Sequence, residues 1–309
     1  MRQYFFIFSL IFLSFGYLFC EEAITPEKSA DGAKTEATKT NESGDEKLEK
    51  EDEEVVTTAD KVFLCVKGYN GPSFLGWCKD GSYYGPIHFG NIGFVKSDSF
   101  YGAIQVGVVT EVGEDFYGVA QIGVASLANN FKGGAQINLI SGAKDFSGFI
   151  QIGGILSGSM SSFKGFLQFG GLSSLTGVFR GFMQISSIYS NADHFMGGFQ
   201  IGAISFIGLG IKNEEGKDNK DNGFYGAFQI GAILSASSTF KGVSQISTVN
   251  YSENHFGGQI GVYNHSKKIR GFQIGVVNYA KELYGIQIGL INIAKNGFLP
   301  FMPIINAGW

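Results

Sequence analysis

FYGAFQIGAILSASST, residues 224–239, is one copy of a phrase that recurs along most of the chain. Its frame is F-x-G-x-x-Q-I-G. Apart from Gln3, every glutamine of the protein marks a copy: Gln105, Gln121, Gln136, Gln151, Gln168, Gln184, Gln200, Gln229, Gln245, Gln259, Gln273 and Gln287. Successive steps are 16, 15, 15, 17, 16, 16, 29, 16, 14, 14 and 14 residues. A degenerate copy precedes them, YYGPIHFGNIG, with His88 in the glutamine's place, 17 residues before Gln105. Repeats of this length stack, because no single unit can bury its apolar side chains alone.

Counting Phe224 as position 0, positions 4, 6 and 9 are Phe228, Ile230 and Ile233; other copies give Ile150, Ile152, Ile155 and Leu167, Phe169, Leu172. The alternation around Gln is that of a half-buried strand, and hydrophobicity assigns the aliphatics inward and Gln outward. Glycine at position 7 supplies the corner where the phase breaks.

Two architectures use such units. One is an all-β repeat solenoid of about thirteen coils of 14–17 residues, its glutamines forming a hydrogen-bonded ladder along one face, as amides do in cross-β stacks. Asn264, Asn278 and Asn292 mark a second ladder at 14-residue spacing. The alternative is an antiparallel outer-membrane β-barrel, with one strand per repeat. The solenoid is favoured because each repeat resembles the next, without a two-repeat period, and because the connections are uniformly short. The ending, with Phe301, Ile305 and Trp309 on alternate positions, favours the barrel.

Outside the array, Arg2 and the apolar run Tyr4–Phe19 make residues 1–20 a signal peptide. Cleavage after Gly16 competes with lipidation of Cys20. Residues 21–60 read as a disordered acidic tether, since thirteen acids stand against five lysines between Glu21 and Glu54 and few side chains there could form a core. In an oxidising compartment Cys65 and Cys78 pair as a disulfide, closing a hairpin about Tyr-Asn-Gly-Pro in a cap over residues 61–82. The array then covers 83–296 and a proline-containing cap, 297–309. Phe298, Leu299, Phe301 and Ile304 of that cap are expected to cover the last coil or to seat in a membrane.

Chemistry is sparse. No metal, cofactor or catalytic motif is present, and His194, His255 and His265 read as turn residues. The sequence therefore points away from an enzyme. The net charge of −4 argues against nucleic acid. The long step, IGLGIKNEEGKDNKDNG, reads as a solvated loop. That loop (Lys212–Gly223) and the outward Lys132, Lys164, Arg180 and Lys241 are the candidate contacts.

The text GFQIGVVNYAKELYGIQIGLINIAKNGFLPFMPIINAGW, residues 271–309, resembles the leptospiral-type bacterial surface-repeat proteins in its Q-I-G phrases, N-x-A-K turns and closing N-G-F-L-P-F. The resemblance is tightest over 256–309 and brings no catalytic residues. It implies a protein at the cell surface or outer membrane, structural or adhesive. Its expected partners are a membrane, reached by a lipid anchor or the C-terminal segment, and host or envelope surface ligands.

Overall fold

The computed structural model describes residues 65, 70–73, 75–89, 94–208 and 222–309. The signal segment, the acidic tether, Cys20 and residues 209–221 of the insertion lie outside them. Among the described residues all regular structure is β: β1 (Asn70–Ser73), β2 (Gly76–Lys79), β3 (Ser82–Phe89), β4 (Phe94–Ser97), β5 (Phe100–Gly170), β6 (Ser173–Ser186), β7 (Tyr189–Ile207), β8 (Phe224–Ile246), β9 (Val249–Ile260), β10 (Tyr263–Ile274), β11 (Val277–Ala294) and β12 (Phe301–Gly308).

From β3 to β11 every printed pairing between neighbours is parallel. Like positions meet: Gln168 opposite Gln184, Gln184 opposite Gln200, and Gln259 opposite Gln273. The chain is a β-solenoid of about twelve turns. A barrel needs antiparallel neighbours, so the alternative falls. The long step from Gln200 to Gln229 leaves the stack unbroken, with Phe195 opposite Phe224 in register.

Each coil is a flattened loop with two walls. The glutamine wall holds Phe at position 0 and Gln at position 5. The serine wall returns beneath it with two inward side chains, such as Ser157 and Ser159 or Asn278 and Ala280. The inward and outward sets are the reverse of the expected ones. All twelve repeat glutamines are fully buried, while Phe228, Ile230, Ile233 and the apolar side chains at positions 4, 6 and 9 of the other F-x-G copies face outward, half-buried or exposed. The cavity between the walls is one side-chain layer thick. A glutamine fits it because its amide reaches both the next coil and the opposite wall. Alternation reveals two sides of a strand but not which one is inside.

Both ends are closed by antiparallel pairing. At the start, β1 pairs β2 and β2 pairs β3, and Cys65 and Cys78 are joined by a disulfide with Cα atoms 5.5 Å apart. The cap's turn differs from the expected one. Asn70–Ser73 is strand, and the reversal lies between Ser73 and Gly76, where Leu75 takes a φ of 58°. At the far end β12 runs back along β11 and sets Asn306 opposite Gln287. Phe298, Leu299, Phe301 and Ile304 do not cover the last coil but stay exposed.

The three 14-residue coils lack one residue between Gly and Gln. Their glycines Gly257, Gly271 and Gly285 absorb the loss with φ of 135–143°, a conformation that L side chains rarely adopt.

Candidate functional site

The interior is an ordered polar lattice. Each glutamine from Gln121 onward donates its side-chain N–H to the Oε1 of the glutamine one coil earlier, over eleven bonds of 2.7–3.1 Å. The same amide nitrogens donate across the cavity to carbonyls of the serine wall. Gln151 reaches Gly158, Gln184 reaches Asn191 and Gln273 reaches Tyr279, at 3.0–3.2 Å. The glutamines thus stitch coil to coil and wall to wall, which makes burial of an amide affordable in free energy.

The asparagine ladder is present and begins one coil earlier than expected, at Asn250. Asn250, Asn264 and Asn278 each donate to the next Asn Oδ1 at 2.8 Å and to a neighbouring coil's carbonyl at 2.9 Å. Where serine holds that place, at Ser157, Ser174 and Ser190, the buried hydroxyl meets no hydrogen-bond partner.

Beside the amides runs an aromatic column. From Phe100 to Phe240 nine phenylalanines stack with centroids 4.6–4.9 Å apart and planes within 11°. Tyr83 extends it at one end, 5.5 Å from Phe100. His255 extends it at the other, 4.4 Å from Phe240 and 3° from coplanar. His255 is therefore a core residue at position 0, not a turn residue, and Phe256 takes the outward place. Burial pushes its pKa down to about 3, opposed by its hydrogen bond to the Gly258 carbonyl. Ile269 and Leu283 finish the column. The step of 14 between Gln245 and Gln259 hid this shift, since the Phe nearest the Gly is no longer the inward one.

His265 is likewise not in a turn. It sits in β10 between Tyr251 and Tyr279 on the outer surface, with ring centroids 5.2 and 4.7 Å away. Burial, then the nearby Lys267, lower its pKa. His194 stays at the corner before Phe195, tilted toward Tyr225. His88 takes the glutamine's rank, opposite Gln105 and fully buried, stacked on Tyr83 at 4.1 Å. Among the described residues no three of His, Cys, Asp and Glu gather as a metal site would require.

Outward, the coil is divided by chemistry. Acids and most lysines gather at the corner before position 0, as in Lys267–Glu253 and Lys268–Glu282. No Asp, Glu, Lys or Arg occupies positions 2–10 of any F-x-G copy. The Gly corner opposite carries an open groove of about 810 Å³ floored by Gly261, Gly275 and Gly289 and walled by Ile274, Val276, Ile288 and Leu290. Lys132, Lys164, Arg180 and Lys241, the expected contact residues, are exposed at position 1 of the glutamine wall. No helix among the described residues is long and apolar enough to cross a membrane. No family model, no curated protein and no solved structure matches the chain.

Proposed function

We propose that the protein is a non-enzymatic repeat protein of the bacterial cell envelope, exported by its leader and acting as a structural or adhesive surface. One observation carries this reading. The inner side chains are largely occupied with holding the stack, whereas the outer wall repeats the same apolar side chains in register from coil to coil. Such a surface engages something extended; it does not enclose a substrate. The composition of residues 1–20 and the resemblance of residues 271–309 to surface-repeat proteins support the envelope as its location.

Cys20 gives this reading its chemistry at the membrane. Lipidation there would anchor the chain at the start of its acidic segment, and the solenoid would stand at the tether's end. The test is fractionation of cells expressing the full chain, with mass spectrometry of its N-terminus. Envelope recovery with a leader removed, and diacylglycerol on Cys20 or a free end after Gly16, is expected. An intact leader on a cytosolic protein overturns the assignment.

A further inference from the structure

We propose that the outer side of the glutamine wall lies flat on an anionic lipid bilayer, as a second membrane contact separate from any lipid anchor. This extends the envelope reading, but its test is made on isolated protein and does not depend on where the cell puts the chain.

The wall carries outward columns at positions 1, 3, 4 and 6. Position 6 is an unbroken apolar line, running through Ile122, Ile185 and Ile274 to Ile288. Position 3 carries Val119, Phe149, Phe166, Phe182 and Val243, from 44% to 62% exposed. With strands about 4.8 Å apart and about 3.3 Å per residue, twelve turns by five residues make a face on the order of 1,000 Å². The largest apolar patch of a typical soluble monomer covers about 300–600 Å².

Position 1 borders this face and decides what covers it. Its charged members are Lys132, Lys164, Arg180, Lys241 and Arg270, and none of its members is acidic. Lys132 pairs with Asp115 from the neighbouring corner; among the described residues the other four meet no carboxylate within 4.0 Å. Lys241 lies over the rings of Tyr225 and Phe256, and Arg270 over Phe256 and Tyr284, at 5.1–5.7 Å. Cations with stems on aromatic rings, beside an apolar strip, match the headgroup and acyl layers of an anionic bilayer. A second copy packed by the same face offers no acidic column for those cations to meet. The exposed phenylalanines turn their faces to one another, Phe149 to Phe166 at 5.2 Å and Phe166 to Phe182 at 5.1 Å. Their edges point outward, which suits acyl chains rather than sugar rings that stack on an open aromatic face.

The experiment is co-sedimentation of the full chain, carrying Cys20→Ser so that no acyl anchor contributes. Vesicles are phosphatidylglycerol–phosphatidylcholine mixtures or phosphatidylcholine alone. Binding is expected to the anionic vesicles and to weaken with salt. Phe166→Ser with Phe182→Ser should abolish it while the protein keeps a cooperative thermal melt, because both rings lie outside the buried aromatic column, at 45% and 44% exposed. Lys164→Ala with Arg180→Ala should weaken it by roughly 25-fold, about fivefold per charge. Three outcomes overturn the proposal. One is no binding to anionic vesicles. Another is binding that the phenylalanine pair leaves unchanged, which would place it in the apolar leader or the exposed C-terminal cap. The last is a wild-type dimer that the phenylalanine pair makes monomeric with lipid binding unaffected, which would assign the face to a second copy.

Discussion

Replacing Gln184 with methionine keeps the length of the side chain and removes its hydrogen bonds. Gln184 donates to Gln168 Oε1 at 3.0 Å and to the Asn191 carbonyl at 3.1 Å, and accepts from Gln200 at 3.1 Å. Its loss is partly cushioned. Gln168 Oε1 keeps Thr176 at 2.5 Å, and Gln200 keeps the Phe206 carbonyl at 3.3 Å. The Asn191 carbonyl loses its side-chain donor and the buried Gln200 amide loses its best acceptor, at about 1–3 kcal/mol for an unsatisfied buried group. The expected cost is roughly 2–4 kcal/mol, read by urea unfolding followed by circular dichroism. Gln105→Met serves as the internal comparison, because its Nε2 already lacks a partner and its loss takes an acceptor from Gln121 alone; it should cost roughly half as much. The double variant Gln184→Met with Gln200→Met should cost less than the two single variants added together, since nothing between those rungs is then left half-bonded. Equal effects at Gln184 and Gln105, or strict additivity of the pair, would refute the ladder as a source of stability.

Three further outcomes follow from the same geometry. His255 stays neutral in the fold to about pH 3, whereas an unfolded histidine titrates near 6.5; the native state thus binds fewer protons, and the contribution is full above pH 6.5 and lost as pH falls toward 3. At about 1.4 kcal/mol per pH unit the whole shift amounts to roughly 5 kcal/mol, and melts from pH 7.5 to 4 should flatten in His255→Leu, which copies Leu283 of a later coil. Phe163→Ala opens a hole between Phe146 and Phe179, each 4.9 Å away, and should cost about 3–5 kcal/mol in chemical unfolding. Gly271→Ala sets a Cβ against the Gly257 carbonyl oxygen at a φ of 143°, so it should lower the melting temperature, while alanine at exposed Lys281 should not.

Much of the architecture was legible in the spacing. Even steps between identical residues imply that like lies over like, and the amide partners follow from that; the disulfide was legible separately, from two nearby cysteines in an exported chain. What the residue types could not convey was the sign of the alternation. Glutamine is ordinarily placed in water, and only a parallel stack satisfies it internally, so Ile152 and Gln151 exchanged the sides expected of them. His255 was obscured by a related cause. The 14-residue coils drop a residue between Gly and Gln, and the phenylalanine beside their glycine slides outward by one place. The C-terminal pairing was hidden as well, since Phe301, Ile305 and Trp309 alternate equally well in a barrel strand and in an antiparallel lid. The candidate contact cations were legible because position 1 stands outward in either architecture. The apolar face beside them was not, because it had been assigned to the core.

The glutamine amides all point the same way. Eleven donors face the first coil and eleven acceptors face the last, leaving Gln105 Nε2 and Gln287 Oε1 unmatched at opposite ends. The molecule is thus a vector, electrically distinct at its two tips. A copy could extend the column only head to tail, and β12 forbids that by lying across the final rung in reverse. Filament growth is blocked at the very place where the chain's own chemistry would invite it, so the number of coils is fixed by the gene and not by assembly.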